Sequence, residues 1–174
     1  MDTLYFHSKS ADKKVGEGKN EYININNYDE LNNIKDWRKV LSNFYIAPFS
    51  FDNLTFNTVE HAFQYYKIKL VNPKIAFSFC LESNSILSKG DGLIARKNRK
   101  IIILNSLQLY EWNKIKNKIL EEILLLKFTQ NYLPNKVLLL TKNAILTHSI
   151  RSKPIRQIEL ENVRKILQLK TIFI

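Results

Sequence analysis

Residues 41–67 constrain the fold of this 174-residue chain more than any other segment. Between Phe49 and Phe56, apolar and polar side chains alternate around the pair Asp52-Asn53. Both of these residues tolerate a positive φ, as the central positions of a tight two-residue turn require. The pattern therefore predicts a β-hairpin, and a helix should begin directly after it, near Thr58.

The predicted helix carries two rows of side chains at helical spacing. The apolar row consists of Val59, Phe63 and Tyr66. The polar row on the adjacent face consists of Glu60, Gln64 and Lys67. Such a polar row can line a cleft. A simpler interpretation stays open, because Asn57 followed by Glu60 is a capping-box pattern in which the carboxylate only satisfies amides at the helix start.

The segment resembles the signature of the NADAR superfamily, also called YbiA-like proteins. Its pattern reads L-S-N-F, then an aromatic-x-x-P-F element, a hairpin, and T-x-E-H-x-x-Q-x-x-K. The matching residues are Leu41–Phe44, Pro48-Phe49 and Thr58–Lys67. The resemblance continues downstream at Trp112-Asn113, Leu126–Asn131, Leu138–Thr141 and Ala144–His148. It covers about residues 3 to 169, and Trp112 is expected to open a helix.

This resemblance implies an activity. The family includes N-glycosidases that cleave the bond between a ribose-type sugar and a nitrogen, acting on phosphorylated riboflavin-pathway intermediates or on ADP-ribosylated guanine. The resemblance thus implies a hydrolase for a phosphoribosyl or ADP-ribosyl N-glycoside, without a cofactor. The essential glutamate of the family lies in T-x-E-H, so this role carries over to Glu60.

The chain departs from the family pattern downstream. Many members carry a D-x-x-W-G-x-G-like element that brings a further acid and a tryptophan to the site. Residues 149–161 instead read SIRSKPIRQIELE. They resemble a branch with an arginine-containing turn followed by proline, which makes Arg151 a candidate substrate-binding residue. The missing element keeps open a non-catalytic domain that binds ADP-ribose or an NAD-like ligand.

One carboxylate is compatible with N-glycoside cleavage, which develops positive charge on the sugar ring. A fixed carboxylate can stabilise that charge, orient water or attack the anomeric carbon. The helix N-terminus is expected to lower the pKa of Glu60 and keep it ionised, which favours these roles over proton donation. Asp91 is the other acid considered, although Gly90-Asp91-Gly92 reads more simply as a turn.

Several further side chains are candidates for substrate binding. Cations pair with phosphate oxygens, and Lys67, Arg151 and the run 96–100 could supply them, although such runs are commonly solvated. Asn43 can hydrogen-bond sugar hydroxyls or a base edge, and Gln64 extends the polar row. Aromatic rings can stack on a base or simply pack in the core. The aromatic candidates are Phe44, Tyr45 and Trp112.

Composition adds a rival function. The net charge of +11 and pI near 9.7 are typical of a basic nucleic-acid-binding domain. The lysines are distributed along the chain, however, and no helix-turn-helix, RRM, KH or zinc-finger signature occurs. The two functions are compatible, because a glycosidase acting on nucleic acid that carries ADP-ribosyl-guanine would need a basic surface.

The remaining composition predicts a single domain over residues 1–174, with 45% hydrophobic residues and little room for linkers. The single Cys80, expected to be buried and inert, cannot form an internal disulfide. His7, His61 and His148 are too scattered for a metal motif. Without a signal peptide or an apolar span, we expect a soluble cytoplasmic protein that contacts no membrane.

The predicted architecture is α+β: a single compact domain, mostly helical with a small β-sheet and the hairpin, as in YbiA-like proteins. Strands are predicted at Leu4–Phe6, Ile145–His148 and, as a strand or buried turn, Lys100–Leu104. Helices are predicted at 28–36, from the Thr58 region, at 72–81, 112–131, 135–141 and 160–169. A short helix and loop are expected across 85–99, and Leu133-Pro134 is expected to break the helix before it.

Overall fold

The computed structural model describes residues 1–150 and 153–172, which form an α+β chain rich in helix. In chain order the elements are β1 (Thr3–Tyr5), α1 (Asp29–Asn32), α2 (Trp37–Leu41), β2 (Phe49–Phe51), β3 (Leu54–Phe56), α3 (Val59–Lys69), α4 (Pro73–Phe77), α5 (Gly92–Lys97), α6 (Ser106–Gln130), α7 (Tyr132–Leu140), β4 (Ile145–Ile150), β5 (Lys153–Arg156) and α8 (Ile158–Ile172). Short 3₁₀ turns occur at Leu81–Ser83 and Ile86–Ser88. The predicted α+β class is confirmed.

The chain divides into two compact units. The first combines Met1–Ser42 with the chain from Tyr132 onward, and the second is Asn43–Asn131. The prediction of one domain over residues 1–174 stays a prediction.

The first unit is built on a three-stranded sheet with the order β1-β4-β5. Strand β1 runs parallel to β4, with Leu4 opposite Leu146, and β5 returns antiparallel to β4. Both leucines are fully buried. A buried ion pair of 2.7 Å between Arg38 and Glu21 ties α2 to the loop after β1. Strand β5 was not predicted, and β4 extends two residues beyond the predicted His148.

The second unit contains the hairpin and the helix α3, against which other helices of the unit pack. Phe49 pairs with Phe56 across β2 and β3, and the turn residues Asp52 and Asn53 have φ of 51° and 61°. These left-handed conformations confirm the predicted turn. Thr58 caps α3, its Oγ1 accepting from the His61 amide, as the predicted start requires. Helices α4, α5 and α6 all pack against α3.

Helix α6 begins six residues before the predicted start at Trp112. The Asn105 side chain accepts a hydrogen bond from the Gln108 amide, and the Gln108 side chain accepts one from the Asn105 amide. This capping box fixes the start of the helix well before the tryptophan. Trp112 therefore lies inside α6 instead of opening it.

Three further predictions need correction. The predicted helix at 28–36 is only the short α1, followed by the unpredicted α2, and α4 ends at Phe77 instead of Leu81. Residues 100–104 form neither a strand nor a buried turn, because Ile101 and Ile103 are 47% and 82% exposed. The predicted break before Leu133-Pro134 does occur, because α6 ends at Gln130 and Asn131 is not helical. Pro134 itself lies in the first turn of α7, where an amide hydrogen has no intrahelical partner. Within the described residues, no helix is both long and apolar enough to cross a membrane.

Candidate functional site

Glu60 is the second residue of α3 and is buried, with 7% of its surface exposed. Its backbone amide donates a 3.1 Å hydrogen bond to the Asn43 carbonyl, which holds the preceding loop over the helix start. Its side chain caps nothing. Instead, Glu60 Oε1 accepts a 2.8 Å hydrogen bond from Gln64 Nε2, one turn along the helix. The capping-box alternative is therefore wrong, because Thr58 is the cap.

Helix α5 approaches the start of α3 at Gly92. The Gly92 amide donates a 3.0 Å hydrogen bond to the Phe44 carbonyl. A Cβ on Gly92 would lie 2.6 Å from Phe44 Cα and 3.0 Å from Glu60 Cβ, so no larger residue fits without a shift. Asp91 caps α5 by accepting from the Leu93 amide at 2.9 Å, which favours the structural interpretation of this acid.

This close approach brings Arg96 to the carboxylate. Arg96 Nη1 lies 3.7 Å from Glu60 Oε1. The Arg96 side chain is 51% exposed, so the ion pair stands at the boundary between a buried carboxylate and solvent. Of the run 96–100, Lys97 and Lys100 are exposed on the surface.

Among the residues that the structure describes, the cations that act on Glu60 are Arg96, Arg99 and Lys67, which we call the cation cluster. Burial nevertheless raises the pKa of Glu60, while the Gln64 hydrogen bond and the cation cluster oppose that rise. The prediction of a lowered pKa is wrong, because desolvation outweighs the helix terminus. Burial lowers the pKa of Lys67, and the neighbouring Arg96 and Arg99 charges lower it further.

Two other polar side chains at this end of α3 are buried. Gln64 is 1% exposed, and its Oε1 has no hydrogen-bond partner among the described residues. His61 Nδ1 lies 2.8 Å from Thr58 Oγ1. Burial lowers the pKa of His61 to about 4, so the imidazole is neutral near pH 7 and supports the cap.

The other predicted binding residues lie in different settings. Asn43 and Phe44 are half-buried in the loop against Glu60 and Gly92. Trp112 is buried and packs edge-on against Phe63, with ring centroids 5.0 Å apart, which favours a packing role. Arg151 lies outside the described residues.

Lys127 is a residue that sequence reasoning missed. It is completely buried in α6, with Nζ 4.8 Å from the Phe128 ring centroid and 5.7 Å from that of Tyr45. Burial lowers its pKa to about 7. Its position four residues after the buried Ile123, on the apolar face of α6, was the available signal. Across the described chain, no group of three or more His, Cys, Asp or Glu residues could hold a metal ion.

Comparisons with known proteins agree with this architecture. A family model described as the NADAR domain matches residues 31–155. The NMR structure of the E. coli protein YbiA is similar in fold, with a TM-score of 0.60 and 21% sequence identity. The match covers 78% of this chain and 81% of that chain. No curated protein matches the sequence significantly.

Proposed function

Because the chain belongs to the NADAR family, we propose that it is an N-glycosidase that hydrolyses a ribose–nitrogen bond, with Glu60 as its key carboxylate. The observation that carries this proposal is the setting of Glu60. It is a buried carboxylate oriented by Gln64 and faced by a half-exposed arginine, instead of a capping or solvated glutamate. Perturbed carboxylates in such settings are typical of catalytic sites.

The chemistry follows from the charge that the reaction develops. As the bond between the anomeric carbon and nitrogen breaks, its electron pair leaves with the nitrogen and the sugar ring becomes positive. Glu60 stabilises that charge and accepts a proton from the water that attacks the anomeric carbon. The departing nitrogen takes up a proton from solvent and Glu60 returns its own to solvent, so that one water is consumed overall. The raised pKa makes Glu60 a stronger base than an exposed carboxylate, while the cation cluster favours its ionised form.

The proposed substrate is a phosphoribosyl or ADP-ribosyl N-glycoside. Arginine and lysine pair with phosphate oxygens, and Arg96, Arg99 and Lys67 supply such groups beside Glu60. Asn43 and Phe44 line the adjoining loop, where an amide can bind sugar hydroxyls and a ring can stack on a base. With a net charge of +11, the protein also suits a substrate carried on nucleic acid, such as ADP-ribosyl-guanine DNA.

The test is product release from a small substrate panel. The panel comprises DNA carrying ADP-ribosylated guanine, ADP-ribosylated guanosine, phosphoribosyl pyrimidine intermediates and NAD. Wild type is compared with Glu60→Gln, which keeps the side-chain shape, and with Glu111→Gln, which makes the same change on an exposed residue of α6. We expect wild type and Glu111→Gln to release base or amine from one member, and Glu60→Gln to lose at least about a hundredfold in rate.

Two results would contradict the proposal. One is full activity in Glu60→Gln, which would remove the role of this carboxylate. The other is no turnover of any panel member while both proteins bind ADP-ribose or DNA, which would favour the non-catalytic binding domain.

A further inference from the structure

The cation cluster carries more positive charge than its protein neighbourhood neutralises. Within the described part of the chain, its three cations act on one carboxylate, Glu60, so an excess of about two positive charges remains there when Glu60 is ionised. The charges of Arg96 and Arg99 also act on the half-buried Lys67. Like charges held close together repel, so the cluster gains stability when an anion binds.

Arg96 is held only weakly to Glu60. Its distance of 3.7 Å from Glu60 exceeds the roughly 2.7–2.9 Å of a direct charge-assisted hydrogen bond. Half of its side chain is in solvent, and exposed ion pairs contribute little to stability. Arg99 is better fixed, because its Nη1 donates a 2.9 Å hydrogen bond to the Arg96 carbonyl. Arg96 can therefore exchange Glu60 for a stronger anionic partner at small cost.

We propose that the cation cluster binds a phosphate of the substrate, and that this phosphate draws Arg96 away from Glu60 and so releases the carboxylate for catalysis. The inference rests on the proposed N-glycosidase function and makes the substrate's own phosphate the trigger. A phosphate monoester carries about −1.5 to −2 charges near neutral pH, which matches the excess charge of the cluster. A diphosphate matches it equally well.

The exchange has a defined effect on Glu60. Before it, Oε1 is shared between Gln64 and Arg96. Afterwards only the Gln64 hydrogen bond remains, and a negative group lies nearby. Losing a neighbouring cation and gaining an anion both favour the protonated carboxyl, so Glu60 becomes the stronger base that water activation needs. An N-glycoside without phosphate leaves Arg96 on Glu60 and is a poor substrate.

The binding of inorganic pyrophosphate tests the proposed displacement of Arg96 without any turnover of substrate. Its affinity is measured by calorimetry for wild type, Arg96→Gln and Lys97→Gln, which removes the same charge from an exposed neighbour on α5. The Glu60 pKa is followed from the side-chain carboxyl carbon by NMR, assigned by its absence in Glu60→Gln. We expect Arg96→Gln to weaken binding about tenfold and Lys97→Gln to change it less than about twofold. Saturating pyrophosphate should raise the pKa of Glu60 in wild type and raise it less in Arg96→Gln.

Equal pyrophosphate affinity in wild type and Arg96→Gln would overturn the inference, and so would an unchanged Glu60 pKa in saturated wild type. The dephosphorylated ribosyl form of the cleaved panel member is the matched substrate without phosphate. Its cleavage as fast as that of the phosphorylated form would overturn the inference as well, while leaving the N-glycosidase proposal intact. Because the binding and pKa measurements need no turnover, failure to cleave the panel would contradict the N-glycosidase proposal separately.

Discussion

Gln64 Nε2 donates a 2.8 Å hydrogen bond to Glu60 Oε1, while the side-chain oxygen of Gln64, Oε1, is buried without a partner among the described residues. An unsatisfied buried acceptor costs about 1–3 kcal/mol, and a hydrogen bond to a charged group contributes about 1.5–3 kcal/mol. The two contributions nearly cancel. Gln64 therefore orients the carboxylate at little net benefit to folding, as expected of a residue that serves the site.

Replacing Gln64 with methionine should separate activity from stability. The variant loses the hydrogen bond but also the unsatisfied oxygen, so the free energy of unfolding should change by less than about 1 kcal/mol. Because the Gln64 hydrogen bond lowers the pKa of Glu60, that pKa should rise in the variant. Turnover should nevertheless fall about tenfold or more, because the carboxylate loses the hydrogen bond that orients it. Urea unfolding and NMR titration measure these effects. A loss of stability above about 3 kcal/mol would mean that Gln64 is mainly structural.

Glu60→Gln should stabilise the protein in a pH-dependent manner. The folded-state pKa of Glu60 is raised above its ordinary value of 4.5, so the folded protein favours the neutral carboxyl. The stability of wild type relative to the variant is therefore greatest below pH 4.5 and declines as pH rises through the folded-state pKa. Urea unfolding at a series of pH values should show the advantage of Glu60→Gln growing above pH 4.5 and then levelling off.

The control for that experiment is Glu111→Gln. Its carboxylate is about half exposed and forms a surface ion pair with Lys114, so its substitution should give a small and nearly constant difference. A Glu60→Gln advantage that shrinks as pH rises would show that the cation cluster, and not burial, dominates the pKa of Glu60.

Gly92→Ala should destabilise the protein, although alanine is the better helix former. The added Cβ would lie 2.6 Å from Phe44 Cα and 3.0 Å from Glu60 Cβ. Overpacking of this kind costs about 1–3 kcal/mol and would displace α5 together with Arg96. Urea unfolding measures the loss, and Leu93→Ala, on the exposed side of the same helix, is the control. Unchanged stability in Gly92→Ala would mean that α5 can move away from α3 freely.

The predictable parts of the molecule are those fixed by local chemistry. The Asp52-Asn53 turn and the Thr58 cap depend on side chains within a few residues, so the hairpin and α3 were predicted correctly. The sign of the Glu60 pKa shift could not be predicted from local chemistry. It depends on the Asn43 loop and on the approach of Gly92, which lie distant in sequence, and together they remove the carboxylate from water.

The burial of the Lys127 amine likewise depends on residues distant in sequence. A lysine in an apolar helical row normally extends its amine to solvent, so the row places Lys127 on the core-facing side of α6 without predicting that its amine is buried. Its burial depends on tertiary packing, in which the Tyr45 ring lies 5.7 Å from Nζ and no surface of the residue stays exposed. The charge of Lys127 is therefore a property of the tertiary structure.

That charge gives the final prediction. The pKa of Lys127 is lowered by burial from 10.5 to about 7, so between these values the unfolded chain binds more protons than the folded one. The contribution of Lys127 to the free energy of unfolding is fully present above pH 10.5 and is lost as pH falls through about 7. The unfolding free energy of Lys127→Met minus that of wild type should thus decrease by about 1.4 kcal/mol per pH unit as pH rises above neutrality.

Urea unfolding from about pH 6 to about pH 9 measures this difference, and its pH dependence separates the charge from any change in packing. Lys118→Met, which replaces an exposed lysine of the same helix, should give a flat difference over the same range. If Lys127→Met also gave a flat difference, the buried amine would have to keep its proton throughout, and an anionic partner would have to stabilise it. A decrease confined to Lys127→Met would show that α6 buries a lysine that loses its proton near neutral pH.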